Sequence, residues 1–255
     1  MKNKRKIDIC LTPSLLNLFD LSNKQVVIID VFRATSAMCV FLNNGGDKVI
    51  PVATVDEAKN YKKNNDNNIS HYLVAAERNG SIVPGFDLGN SPLLYDGKNF
   101  NGCSLVITTT NGTLAINKAK TGHVKMLLAS FLNASAIVNY LSLAKEDVLI
   151  VCSGWKGRCC VEDLLLAGYL STHLLNTSKF HTDSDSVLLA NNTYNIAKLD
   201  MFNFLANSAY RTRMNLDDDI KFCLQKDIMD IVPMWFPIEK SVTESNIGFF
   251  SLRSN

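Results

Sequence analysis

Three apolar segments of this chain each run without a break into a cluster of small and polar residues. They are VVIID-VFRAT (26–35), LVITT-TNGT (105–113) and VLIVC-SGWKGR (148–158). Short β-branched runs of this kind suit strands buried on both faces, as in a parallel sheet covered by helices. In open α/β sheets ligands sit beyond the carboxyl ends of the strands. The pattern therefore predicts that Asp30, Thr108–Thr113 and Gly154 open into one cleft.

Similar runs at Val49–Val52, Leu73–Ala76 and Val124–Leu128 read as further strands. Segments of helical period lie between them, at Ser36–Asn43, Asp56–Lys63, Thr113–Ala119, Ala134–Leu143 and Glu162–Leu175. Asn133 stands as N-cap to the fourth of these. Beyond a loop at HTDSDS (181–186), helices are expected at 191–207 and 217–226 and an edge strand at 247–252. The alternation predicts a three-layer α/β/α fold with a mainly parallel or mixed sheet. Composition changes little along the 255 residues and marks no linker, so a single domain over 1–255 is expected.

Apolar residues make up 47% of the chain and charged residues 20%, which excludes a disordered chain. A net charge of +2 gives no field for nucleic acid or a membrane surface. The uncharged stretch 126–144 carries five Ser and Asn side chains, too many for a spanning helix. Seven cysteines without a CxxC pair, most of them inside apolar runs, read as reduced core residues of a cytoplasmic protein.

The chemistry concentrates at the strand ends. Asp30 follows four apolar residues, where an acid serves as metal ligand, nucleophile or cap of the next helix. The segment 30–35 resembles the haloacid-dehalogenase loop, but Phe32 occupies the place of the second acid that this chemistry needs. Arg33 and Thr35 suit phosphate or sulfonate, by a two-point guanidinium contact and a hydroxyl donor. Thr109, Thr110, Asn111, Gly112 and Thr113 read either as an anion cradle without the P-loop lysine or as a plain Asn-Gly turn. Glu77 and Arg78 end another strand, and Ser91 precedes Pro92 in a Gly-, Asn- and Ser-containing loop. Each admits a bland reading, an exposed ion pair and a cap. Gly154 and Arg158 belong to the third cluster. Glu162 and Asp163 open the following helix, where adjacent acids suit the helix dipole or a hard cation such as Mg²⁺.

Together the blocks IIDVFRATS, AAERNG–GFDLGNSP, LVITTTNGT and VCSGWKGR–VEDLLLAG resemble the 2-phosphosulfolactate phosphatase family. They span residues 26 to 168, and DDDIKFCLQKDIMDIVP (217–233) resembles the family's C-terminal segment. Before that tail, relatives tend to carry a His-Gly-Arg-like segment where this chain reads Ala-Tyr-Arg-Thr-Arg (209–213). The resemblance implies a Mg²⁺-dependent phosphatase of coenzyme M biosynthesis acting on a small anionic phospho-acid. From the residues' places at or just beyond the strand ends, catalysis is expected of Asp30, Arg33, Glu77 and Arg78. Metal binding falls to Asp30, Glu77, Glu162 and Asp163, of which at least two are expected around the ion. Substrate binding falls to Thr35, Ser91, Thr109–Thr113, Gly154 and Arg158. Arg33 and Arg78 are expected to meet a second anionic group. A phosphatase for a different phospho-acid, a non-catalytic small-acid-binding α/β protein and a purely structural one are the competing readings. The sequence sets no oligomeric state, and a homodimer is the assembly considered.

Overall fold

The computed structural model describes residues 4–63, 71–78, 80–109, 111–120, 124–238 and 248–252. Eleven strands form one sheet: β1 (Arg5–Cys10), β2 (Lys24–Ile29), β3 (Lys48–Pro51), β4 (His71–Arg78), β5 (Ser81–Ile82), β6 (Cys103–Thr108), β7 (Lys125–Ala129), β8 (Asp147–Cys152), β9 (Phe180–His181), β10 (Met234–Pro237) and β11 (Gly248–Ser251). Their order across the sheet is β5-β4-β6-β3-β11-β10-β7-β2-β8-β1-β9. Two parallel blocks, β4-β6-β3 and β7-β2-β8-β1-β9, are joined by the antiparallel pair β10-β11. The joints are thin, with Phe250 opposite Val49 on one side and Met234 opposite Leu127 on the other.

The helices are α1 (Ala34–Asn43), α2 (Val55–Lys63), α3 (Gly112–Ala119), α4 (Ala134–Leu143), α5 (Val161–Asn176), α6 (Asp185–Ala197), α7 (Met201–Phe204), α8 (Ala209–Met214) and α9 (Asp217–Cys223). Strand side chains alternate between faces. Val26 and Ile28 of β2 join α1, α3, Leu105 and Ile107 in one core, while Val27 and Ile29 join α4, α5 and α6 in another. Ile50, Val74 and Val106 meet Ala58 of α2 in a third. Helices thus cover both faces, the expected three-layer α/β arrangement.

The sheet is curled. β4 and β2 lie six strand intervals apart, about 29 Å if the sheet were flat. Yet Arg33, just past β2, is ion-paired to Glu77 of β4. The curl wraps the sheet around α1 and α3 and brings the carboxyl ends of the two parallel blocks together.

All six apolar runs are strands, and the five helical segments between them are helices. Two expectations shift. The helix expected over 191–207 is α6, which starts at Asp185 inside HTDSDS and stops at Ala197, with α7 following. Asp and Ser there open a helix as well as a loop. The edge strand expected at 247–252 is β11, an interior strand between β3 and β10; Ile247 lies outside the described residues. Asn133 does occupy the N-cap position of α4. Its side chain accepts from the Ser130 amide at 2.9 Å and donates to the carbonyls of Leu128 and Ile231.

Helices α5 and α6 approach most closely at Gly168, where an added Cβ would lie 2.2 Å from the Ala190 carbonyl oxygen. That neighbour is backbone and cannot swing away. Gly168→Ala is expected to destabilise by about 1–3 kcal/mol, read as a lower urea midpoint at unchanged m-value.

Candidate active site

A cavity of about 420 Å³ opens where the two parallel blocks meet. Asp30, Arg33 and Ala34 come from the end of β2 and the start of α1. Glu77, Arg78 and Gly80 come from the end of β4, and Thr109 and Asn111 from the β6–α3 turn. Trp155 and Lys156 come from the loop after β8, and Tyr210, Arg213 and Met214 from α8. All three strand-end clusters therefore contribute to one cleft, the third through Trp155 and Lys156 and not through Gly154 itself.

Asp30 sits at its floor, 8% exposed, between two helix starts. The Ala34 amide lies 3.5 Å from its Oδ1, and the Gly112 amide of α3 also favours its charged form. Gly112 must be glycine here, because an added Cβ would stand 2.8 Å from Asp30 Oδ2 and 3.0 Å from Ala34 Cβ. The Thr35 hydroxyl donates to the Asp30 carbonyl at 3.0 Å and the Thr35 amide to the same oxygen at 3.1 Å. Thr35 is fully buried and locks the strand-to-helix turn.

The acids of α5, Glu162 and Asp163, are buried beside Asp30 and do not themselves line the cavity. Asp163 accepts from the amides of Val31 and Gly154, both at 2.9 Å, and so ties the end of β2 to the end of β8. Glu162 is 4% exposed and takes a hydrogen bond from the Cys160 thiol. Burial pushes all three carboxyls up, Asp30 to about 6. Asp30 adds to the rise of both Glu162 and Asp163. Amide donors pull the other way and lose, because desolvation of a carboxylate outweighs a few hydrogen bonds. No Lys or Arg lies within ion-pair distance of any of the three among the described residues.

The cations line the walls instead. Arg33 is buried and clamped, paired with Glu77 and, at 3.4 Å, with Asp219 of α9. Arg78 is exposed and donates to the Glu77 carbonyl at 2.8 Å. After β8 the chain makes a tight turn in which Trp155 and Arg158 exchange backbone hydrogen bonds of 2.9 and 3.0 Å. The Asn111 carboxamide oxygen accepts from the Lys156 amide at 3.1 Å, fastening the β6 turn to this loop.

The proposed threonine cradle is turned on itself. Thr109 Oγ1 accepts from the Thr113 amide at 3.0 Å, and Thr113 Oγ1 donates to the Thr109 carbonyl at 2.6 Å. Those hydroxyls cap α3, and the Gly112 amide turns to Asp30. Thr110 lies outside the described residues. Ser91 caps a 3-10 turn by position, with Pro92 following, and does not line the cavity. Nor does Arg158, which is exposed. Tyr210 and Arg213 are lining residues that strand-end reasoning missed. Their signal was the aromatic-and-arginine run 209–213, carried by a helix remote in sequence from every cluster.

Among the described residues no group of three or more His, Cys, Asp or Glu has the spacing to hold a metal ion. Glu77 is committed to Arg33, and both oxygens of Asp163 are taken by amides. Asp30 and Glu162 remain, a buried pair with no ion-paired cation among the described residues, though the charge of Arg213 favours ionised Glu162. Mg²⁺ is commonly held by one or two carboxylates plus water and substrate phosphate, so this donor set fits the ion.

Folded, Asp30 keeps its proton to about pH 6; unfolded, it loses it near 4. Between those values the folded state binds more protons, so stability falls as pH rises through this window. Asp30→Asn removes the penalty. It is expected to raise the unfolding free energy of the ligand-free protein at pH 7.5 by up to about 3 kcal/mol and at pH 4 by far less. Urea unfolding at the two pH values checks this.

Comparisons with known proteins show the family. The family model described as 2-phosphosulpholactate phosphatase matches residues 10–236. A protein of Caldanaerobacter subterraneus named "Probable 2-phosphosulfolactate phosphatase" is 38% identical over 233 residues, covering 87% of this chain and 92% of that protein. One of Thermotoga maritima with the same name is 38% identical over 213 residues, covering 82% and 88%. One of Clostridium botulinum Eklund 17B, again so named, is 33% identical over 233 residues, covering 90% and 96%. This chain belongs to the 2-phosphosulfolactate phosphatase family of phosphoric monoester hydrolases.

Proposed function

We propose that the chain is a Mg²⁺-dependent phosphatase for a small phosphomonoester that carries a second anion. The first candidate substrate is 2-phosphosulfolactate, which hydrolysis converts to 3-sulfolactate and phosphate; coenzyme M biosynthesis follows from the family likeness alone. The observation that carries the reading is the buried carboxyl of Asp30, backed by Glu162, at the floor of a cavity that Arg33, Arg78, Lys156 and Arg213 also line. A phosphate ester brings two negative charges toward carboxylates that are already hard to ionise. Held by Asp30 and Glu162, Mg²⁺ would supply the charge that lets both ionise and would polarise the phosphoryl oxygens.

The chain's own residues do the rest. Asp163 keeps the ends of β2 and β8 in register and so holds Asp30 and Gly154 in fixed relation. Arg33, oriented by Glu77 and Asp219, presents guanidinium N–H groups beside the phosphoryl position. The Asn111 carboxamide, fixed by Lys156, has its NH₂ to offer to an oxygen. Arg78 and Lys156 at the rim attract the anion. A cytoplasmic setting accords with seven free thiols, and no helix of the described residues is long and apolar enough to cross a membrane.

Hydrolysis of p-nitrophenyl phosphate and of 2-phosphosulfolactate tests the reading. Activity is expected with Mg²⁺, lost in excess EDTA and regained on adding Mg²⁺. Asp30→Asn is expected to lower kcat by about 10²–10³. A non-catalytic binding protein would turn over neither substrate under any of these conditions.

A further inference from the structure

The distribution of charge in the cavity assigns a second-anion subsite. We propose that Tyr210 and Arg213, both on α8, bind the carboxylate or sulfonate of the substrate while the phosphate sits over Asp30; this rests on the phosphatase reading. Arg33 is poorly suited to that task, because Glu77 and Asp219 already offset its charge and its side chain is 6% exposed.

Arg213 differs: its charge favours ionised Glu162, but it forms no ion pair among the described residues. It lines the same cavity and is exposed, with no acid within ion-pair distance among the described residues. Its guanidinium lies 3.9 Å over the Trp155 ring and 5.7 Å from the Tyr210 ring centre. One N–H donates to the Ala209 carbonyl at 3.2 Å, leaving others for a ligand. Aromatic faces orient a guanidinium without neutralising it, so little side-chain freedom remains to be lost on binding.

Tyr210 supplies the second, independent observation. The residue is 6% exposed, and its phenol oxygen is buried with no hydrogen-bond partner in the structure. Its ring is held against Phe32, centroids 5.0 Å apart. A buried donor without an acceptor is costly, and on a cavity wall the natural acceptor is an anionic ligand oxygen. Burial also pushes the phenol up, which keeps it a neutral donor. The Arg213 guanidinium, 5.7 Å from the Tyr210 ring centre, and the Tyr210 phenol O–H, whose charged neighbours are Arg33, Asp219 and Glu77, are both donors an oxyanion can use. Both are carried by α8, whereas the floor carboxyl, Asp30, comes from the end of β2. The substrate class is therefore a phosphomonoester with a carboxylate or sulfonate a few bonds from the ester oxygen.

Calorimetric titration with 3-sulfolactate, together with kinetics on 2-phosphosulfolactate and p-nitrophenyl phosphate, tests this. Arg213→Ala is expected to weaken 3-sulfolactate binding about tenfold or more, the scale of a lost charge-assisted hydrogen bond. It should raise KM for 2-phosphosulfolactate by a similar factor, with a smaller change in kcat. The ratio of kcat/KM for 2-phosphosulfolactate over p-nitrophenyl phosphate should fall about tenfold. Tyr210→Phe keeps the ring packing and should shift the same ratio in the same direction. Lactate in place of 3-sulfolactate separates the two anions. If Arg213→Ala leaves lactate affinity unchanged, the subsite holds the sulfonate; if lactate loses as much, it holds the carboxylate. Equal losses on the two phosphate esters, or unchanged 3-sulfolactate affinity in Arg213→Ala, would overturn the proposal. Should the wild type hydrolyse neither ester, the phosphatase reading fails. The titration then still decides the subsite, since a wild type that does not bind 3-sulfolactate overturns it and binding lost in Arg213→Ala supports it.

Discussion

Three carboxyls, those of Asp30, Glu162 and Asp163, are buried side by side where α1, α3 and α5 begin. Helix starts offer unpaired amides and a partial positive charge, and here that charge is directed at protein acids. Asp163 satisfies the Val31 and Gly154 amides, and Asp30 meets those of Ala34 and Gly112. The turns out of β2, β6 and β8 depend on those bonds, and the tight Gly112 approach depends on the Asp30 position. The arrangement holds the strand ends together and also gathers negative charge that amides alone do not offset.

The same cluster sets function against stability. Asp30 makes Glu162 and Asp163 harder to ionise, and Glu162 adds to the rise of Asp163, so the cluster is least comfortable where all three must carry charge. A ligand cation or a protonated carboxyl relieves that. Around it the chain spends its arginines in different ways. Arg33 is fixed between two acids and serves geometry, whereas Arg213 rests on aromatic rings and keeps its charge for solvent or ligand.

The strand-end clusters were legible because each is contiguous: an apolar run tells where the strand ends, and the next residues must lie beyond it. Asp30, Thr109, Asn111 and the 154–158 loop could be placed on that ground alone. β1 escaped notice because Asp8 and the basic residues around it mask the alternation of Ile7 and Ile9, which are buried against β8. Donor direction was not legible either. A run of threonines reads the same whether its hydroxyls face a ligand or, as at Thr109 and Thr113, each other. Arg33 looked free because its partners, Glu77 and Asp219, lie 44 and 186 positions away along the chain. Tyr210 and Arg213 reach the cleft only through packing, from a helix that no local pattern ties to the strand ends.

The pair β10–β11 bridges the two parallel blocks, and β11 follows every other strand in chain order. During synthesis, the edge of β7 therefore stays unpaired until residues 234–237 emerge, and that of β3 until residues 248–251 emerge. A nascent chain holds two half-sheets with open flanks and no seam between them. The cleft takes its lining from both half-sheets, so substrate recognition waits until they are joined. Its many long-range pairings favour slow folding, and the interval with exposed strand edges is when self-association competes most strongly.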